Sequence, residues 1–334
     1  MARSQQQVGR RPSRRFILGK AVREFAADEC LDRSAALTLY AVLALPPLAI
    51  MLTSILALVG QGPASTDTIL EVLTTVAPGG SGDVLSDPIR AVLEHPAAGW
   101  TLVIGTLTAL WIAAGYVGSF GRALNRIYGV AEGRPSWQLL GWHLLTSVAL
   151  VVFALVVTLL IVLSGPVARA VGESAGVGDA AVTIWEAARW PVLVVAGIVI
   201  IALLYYAAPN VRHPRFRVLP AGSVLALAVA VVASFGFRLF IDVAGRFETN
   251  YGTAMAGIVV FVLWLWLVNI SLLLGAELNR ELVRVRQLVS GIKADRAVQV
   301  DTRDDRASHR ARDRRHADEA RARSLRESWT NGGE

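Results

Sequence analysis

Six long apolar stretches divide this 334-residue chain, and the basic residues between them fall almost entirely on alternate loops. The stretches cover about residues 37–60, 99–120, 141–165, 190–208, 220–243 and 254–274. Each can cross a hydrocarbon core of roughly 30 Å as a helix rising about 1.5 Å per residue, whereas a buried strand would need about a third of that length. The third and fourth carry no formal charge, and 54% of all residues are hydrophobic. The expected fold is therefore all-α and polytopic, with six transmembrane helices.

Orientation follows from Lys and Arg outside the spans. Eight precede span one, and the loops after spans two and four hold three each, whereas the other three loops together hold only Arg90, Arg169, Arg189 and Arg246. By the positive-inside rule the first group is cytoplasmic, which puts both termini in the cytoplasm. Most of the +7 net charge is thus a topology signal and no argument for nucleic acid. Residues 1–14 form a basic N-terminal tail and 15–290 the membrane domain. The charged cytoplasmic tail, 291–334, mixes Arg with Asp and Glu, has few apolar residues after Val300, and is expected to lack fixed structure.

Apolar periodicity predicts shorter helices at the membrane surface. Leu18, Ala21, Val22 and Phe25 share one face of an interfacial helix ahead of span one. In the outer loop after it, Ile69, Val72, Leu73 and Val76 form one stripe and Leu85, Ile89, Val92 and Leu93 another, with a further helix expected within 166–189. The N-terminus does not read as a cleavable signal, because its first apolar span starts near residue 37. The single cysteine, Cys30, excludes an intramolecular disulfide.

Candidate functional residues are those that cost energy where they sit. Arg238 and Asp242 lie four apart in span five, where a charge in lipid costs at least roughly 2.5 kcal/mol. Two readings stand: they face a cavity, or Arg238 snorkels outward with Asp242 beside it. Pro46 and Pro47 remove two backbone donors from span one, which is expected to be kinked or interrupted, either as part of a transport site or as a break repaired by neighbours. Asn269 in span six suits an interhelical hydrogen bond, and His143 a packing role at the start of span three. Ala114, Gly118 and Arg122, with Gly121 and Asn125, offer a small-residue face for close helix approach ending in a polar foot. The five histidines form no HxxxH or HxH pair, and GxSxG and GxxxxGK are absent, so no catalytic site, metal or cofactor is expected.

Several segments together carry a resemblance. ECLDRSAALTLYAVLALPPLAI, LWIAAGYVGSFGRALNRIYGV, VRHPRFRVLPAGSV and FRLFIDVAGRFETNYGTAMAGIVVFVLWLWLVNISLLLGAELNRE, in that order, resemble the YihY/BrkB family of bacterial inner-membrane proteins over about residues 15–290. The resemblance implies six transmembrane helices. It draws attention to Asp32, Arg33, Ala35, Tyr40 and Pro46, to Arg122, Asn125 and Tyr128, to Asn250, Tyr251 and Gly252, and to Gly275, Glu277 and Asn279. ETNYGTAMAG departs from the Ser-Leu-Gly ending frequent in that family. The family's old ribonuclease label has no nuclease motif behind it in this chain.

Two functions remain from different classes. One is a transporter-like protein moving a lipid or amphiphile through a cavity near Pro46, Arg238, Asp242 and Asn269; the other is a membrane scaffold with no transport pathway. The expected partners are membrane lipids, with anionic headgroups at the cytoplasmic basic loops. A homo-oligomer is left open, and nucleic acid is not among the partners.

Overall fold

The computed structural model describes residues 13–58, 100–162, 179–212, 219–244 and 253–331. In chain order these form α1 (Arg14–Ala27), α2 (Cys30–Leu58), α3 (Trp100–Tyr128), α4 (Ser136–Val162), α5 (Asp179–Ala207), β1 (Val211–Arg212), α6 (Leu219–Ala244), α7 (Thr253–Val289), β2 (Asp301–Thr302) and α8 (Arg306–Asn331). Five of them, α3 to α7, are long and apolar enough to cross a membrane. The remaining expected span corresponds to α2, a helix of 29 residues. Leu39, Trp111, Val152, Val195, Val232 and Leu239 are exposed on the outer faces. Such a surface suits hydrocarbon and not water, and the chain is a multi-pass helical membrane protein.

The six long helices close a ring in which each touches the next, α2 to α3, α4, α5, α6, α7 and back to α2, and α3 also meets α7 across it. Without water, polar groups inside the ring must satisfy one another. Tyr116 of α3 donates to Asn269 Oδ1 of α7 at 2.9 Å, and Asn269 Nδ2 donates to Thr38 Oγ1 of α2 at 3.2 Å. The rings of Tyr116, Phe120 and Tyr205 stack in succession, 6.2 Å and 6.0 Å apart, tying α3 to α5.

The backbones of α6 and α7 come into close contact where the two helices cross. A Cβ on Gly222 would collide with Gly275 O, and one on Gly275 would fall 2.5 Å from Gly222 O and 2.5 Å from the Tyr205 hydroxyl. The approach lets Asn279 Oδ1 accept from Gly222 N at 2.8 Å, satisfying a donor in the first turn of α6.

Helix ends are set by local chemistry. Ser13 caps α1, its hydroxyl accepting from Phe16 N at 3.3 Å. Gly129, with φ 67°, ends α3 with Gly129 N donating to Arg126 O and Val130 N to Asn125 O. That paired pattern satisfies carbonyls of the last turn. Helix α1 buries Ala21 and Phe25 but leaves Leu18 and Val22 exposed, so only half of its expected apolar face is used, against α7.

Three expectations change in detail. Of the two expected effects of Pro46 and Pro47, interruption does not occur: α2 runs through both as one helix, packed against α3 and α7, with Gly105 of α3 opposite Ile50 where the helices approach. Helix α7 continues to Val289, well beyond residue 274, because its polar extension is held by α1. The tail has structure where none was expected. Residues 292–299 fold back on α7, with Arg284 Nε donating to Ala294 O at 2.8 Å and Gln287 paired with the Gln299 backbone. Strand β2 pairs antiparallel with β1, Val211 opposite Thr302, and α8 follows as an exposed charged helix. Specific backbone partners on the membrane domain supply the order that tail composition alone did not reveal. The stripes at 69–76 and 85–93 lie outside the described residues.

Overpacking the α6–α7 crossing tests this arrangement. Gly275→Val places methyl groups against the Gly222 carbonyl and Tyr205, and should destabilise the protein by about 1–3 kcal/mol. A lowered thermal midpoint in detergent checks it; an unchanged midpoint contradicts the close crossing.

Candidate functional site

A half-open cavity of about 340 Å³ lies between α2, α3 and α4. Glycines make it. A Cβ on Gly115 would fall 2.7 Å from the ring of Tyr40, and one on Gly118 2.9 Å from His143. Their absence lets a tyrosine of α2 and a histidine of α4 lie against α3. At one end sit Arg122, His143 and Leu140; at the other, Leu43, Trp111 and Ile112. Trp111 and Arg122 are eleven residues apart on α3, about 16 Å along a helix. The groove therefore runs along α3 for about half the thickness of a hydrocarbon core. It joins a polar foot to an apolar slot whose Trp111 and Leu43 are exposed at the outer surface of the bundle.

Beside the foot lies a buried polar hub. Asn125 Nδ2 donates to Glu132 Oε2 at 2.9 Å, and Asn125 Oδ1 accepts from Asn210 N at 2.8 Å. Arg134 grips Glu132 with two hydrogen bonds of 2.8 Å and donates a third to Ala208 O at 2.9 Å. Asn210 Nδ2 reaches Asp304 O at 2.7 Å, and Asp304 N returns to Asn210 Oδ1 at 3.1 Å. The ends of α3 and α5 and the tail are thus sewn together, with Arg303 stacked over Tyr206. Burial alone would raise the Glu132 carboxyl, but the Arg134 bonds and charge hold it below the usual glutamate range.

A third cluster joins α1, α2 and α7. Arg280 lies 3.1 Å from Glu24, 3.3 Å from Glu277 and 3.8 Å from Asp28, and Lys20 and Arg284 flank Glu281 at 3.7 and 3.6 Å. Arg126 of α3 reaches Asp28 at 3.2 Å. Burial raises the Asp28 carboxyl and pushes the Cys30 thiol to about 12, helped there by the charges of Glu277 and Asp28. Cys30 therefore stays protonated, in contact with Glu277 Oε1 at 4.0 Å. Among the described residues no group of three or more His, Cys, Asp or Glu is arranged to hold a metal ion.

The sequence candidates separate across these places. Arg122 stands in the groove, Asn125 in the hub and Glu277, fully buried, in the ionic cluster. Asn269 sits in the bundle interior. Pro46 is exposed on α2 and Arg238 on α6, so the structure does not gather Pro46, Arg238 and Asn269 around one cavity. Asp242 belongs to α6, but its side chain lies outside the described residues, as do Asn250 and Tyr251 entirely. Sequence reasoning missed Tyr40 and His143 as partners, along with Glu132, Arg134 and Asn210. The small-residue face at Ala114, Gly118 and Gly121 was the available signal. Gly118 meets His143 there, and Gly121 meets Ala208 O.

A ring of apolar helices with a sideways groove and a polar base defines a polytopic membrane protein. A family model described as virulence factor BrkB matches residues 21–299, and the chain belongs to that family. It is 28% identical over 264 residues to the putative ribonuclease-like protein YfkH of Bacillus subtilis, covering 79% of this chain and 94% of that one. It is 31% identical to a UPF0761 membrane protein of Aromatoleum aromaticum, over 77% of this chain and 61% of the relative. A UPF0761 membrane protein of Azoarcus is 30% identical, over 86% and 68% respectively. The chain thus spans nearly all of one relative and about three fifths to two thirds of the others. No solved structure matches.

The hub makes a pH prediction. A carboxyl lowered in the folded state adds stability that is full above the ordinary glutamate range and is lost as pH falls through the lowered value. Acidification should loosen the tail clamp, read as faster hydrogen exchange at residues 303–304 after correction for intrinsic rate. Glu132→Gln should weaken the clamp at neutral pH by about 1–3 kcal/mol and remove this acid response. Tail exchange identical in wild type and E132Q contradicts it.

Proposed function

We propose that this is a transporter-like protein of the bacterial plasma membrane, with no enzymatic step, that takes a lipid or other amphiphile from the bilayer through the groove between α2, α3 and α4. One observation carries the reading: the groove opens sideways, its apolar end facing the surroundings of the bundle and its polar end at the basic foot. A molecule already dissolved in the membrane can enter such a slot without crossing water, keeping its apolar part in an apolar place and its polar part at the boundary. The basic foot faces the cytoplasm in this reading, because Arg122 and Arg126 near the end of α3 and Arg134 in the short loop after it lie on the positive side.

The scaffold reading also has a specific support. Helix α8 is an exposed charged helix of 26 residues beyond the membrane domain, free to meet a partner without any pathway. Nuclease chemistry is not proposed; the ribonuclease-like wording belongs to the name of YfkH.

Filling the groove separates transport from scaffold. Gly118→Leu should slow translocation of a fluorescent phospholipid in proteoliposomes at least tenfold. Gly141→Ala, at a site where a Cβ meets nothing within 4 Å, should leave it unchanged. Wild-type vesicles no faster than protein-free vesicles would overturn transport in favour of the scaffold.

A further inference from the structure

We propose that the groove selects an anionic, phosphate-bearing lipid, with Arg122 as the headgroup residue and Tyr40 and His143 lining the passage to its chain. This rests on the amphiphile reading of the same groove but not on translocation, since a binding site can exist without transport.

Several basic side chains around the base are paired: Arg126 with Asp28, Arg134 with Glu132, Arg280 with Glu24 and Glu277, and Lys20 with Glu281. Arg122 is different. It is exposed and makes no ion pair or hydrogen bond among the described residues, although it stands one helical turn from Arg126. None of the residues lining the groove is a carboxylate. The slot thus presents a fixed positive charge with no internal counterion. A guanidinium matches two oxygens of a phosphate with parallel donors, and pairing gains strength where hydrocarbon lowers the local dielectric.

Position favours a lipid over a soluble anion. The distance of about 16 Å from Arg122 to Trp111 matches half a hydrocarbon core of roughly 30 Å, the depth of one leaflet. A headgroup at Arg122 would lie level with the membrane boundary while its chain ran past the Tyr40 ring toward Leu43, Ile112 and Trp111. Free phosphate would use the foot alone and leave the apolar end without an occupant. The hydroxyl of Tyr40 and the imidazole of His143 can donate to ester or phosphate oxygens along that path.

The test uses the full chain in detergent, with phosphatidylglycerol and phosphatidylcholine of identical acyl chains titrated and bound lipid counted by native mass spectrometry. Wild type should favour phosphatidylglycerol at least tenfold. R122Q should erase the preference, R122K keep part of it, and R238Q, at an exposed arginine outside the groove, leave it intact. Unchanged thermal midpoints establish that each variant is folded. Equal preference in wild type and R122Q would overturn the proposal, as would inorganic phosphate displacing the lipid at equal concentration, which would mark a free-anion site. If both lipids bind without headgroup preference and Gly118→Leu weakens both, the anion selectivity fails while the amphiphile reading stands. If neither lipid binds, both fail.

Discussion

The crossing of α6 and α7 at Gly222 and Gly275 is the contact on which the rest of the bundle depends. It brings two backbones together where no side chain fits, and the same approach lets Asn279 satisfy the start of α6 and Tyr205 reach the carbonyl of Leu272. Helix α7 is thereby fixed along its whole length. Its membrane part offers Asn269 to α2 and α3, and its polar extension carries Glu277, Arg280 and Glu281 to α1. In a bilayer, close packing of small residues and internal polar pairing supply cohesion that lipid tails, as apolar as leucine, cannot drive.

Structural charges differ from the candidate functional one in having partners within the protein. Three sets of polar groups lie at the base of the bundle, and in two of them charged groups have counterions within the set, the Asn125, Glu132, Arg134 and Asn210 hub and the Arg280 cluster. Both hold helix ends and flanking segments in place. The groove is left with an arginine facing an apolar slot, and its shape depends on two glycines that no closed polar network uses. In the proposed reading the groove, and not the intramembrane residues as a group, is the place for a ligand.

Much of the architecture was legible in the residues because hydrocarbon imposes length and polarity rules on any spanning segment. The helical class, the close approach along Ala114, Gly118 and Gly121, and the interhelical role of Asn269 all follow from such rules. What composition could not show is pairing over long separations. Arg134 meets Ala208, and Asn210 meets the tail at Asp304, through backbone carbonyls that leave no trace in residue type. The tail therefore looked like a solvated polyampholyte although part of it is bound. Arg238 stood out by hydropathy, yet its exposed position on α6 puts it outside the groove, while Arg122 drew less notice because an arginine at a helix foot is an ordinary topology signal.

The proposed occupant of the groove between α2, α3 and α4 is a bilayer amphiphile. An electron cryo-microscopy map of the full chain in lipid nanodiscs tests it most directly. Elongated density should enter from the side, with a headgroup beside Arg122 and a chain passing Tyr40 toward Trp111. A groove closed by its own side chains, or covered by a second copy of the protein with no lipid between, would contradict it.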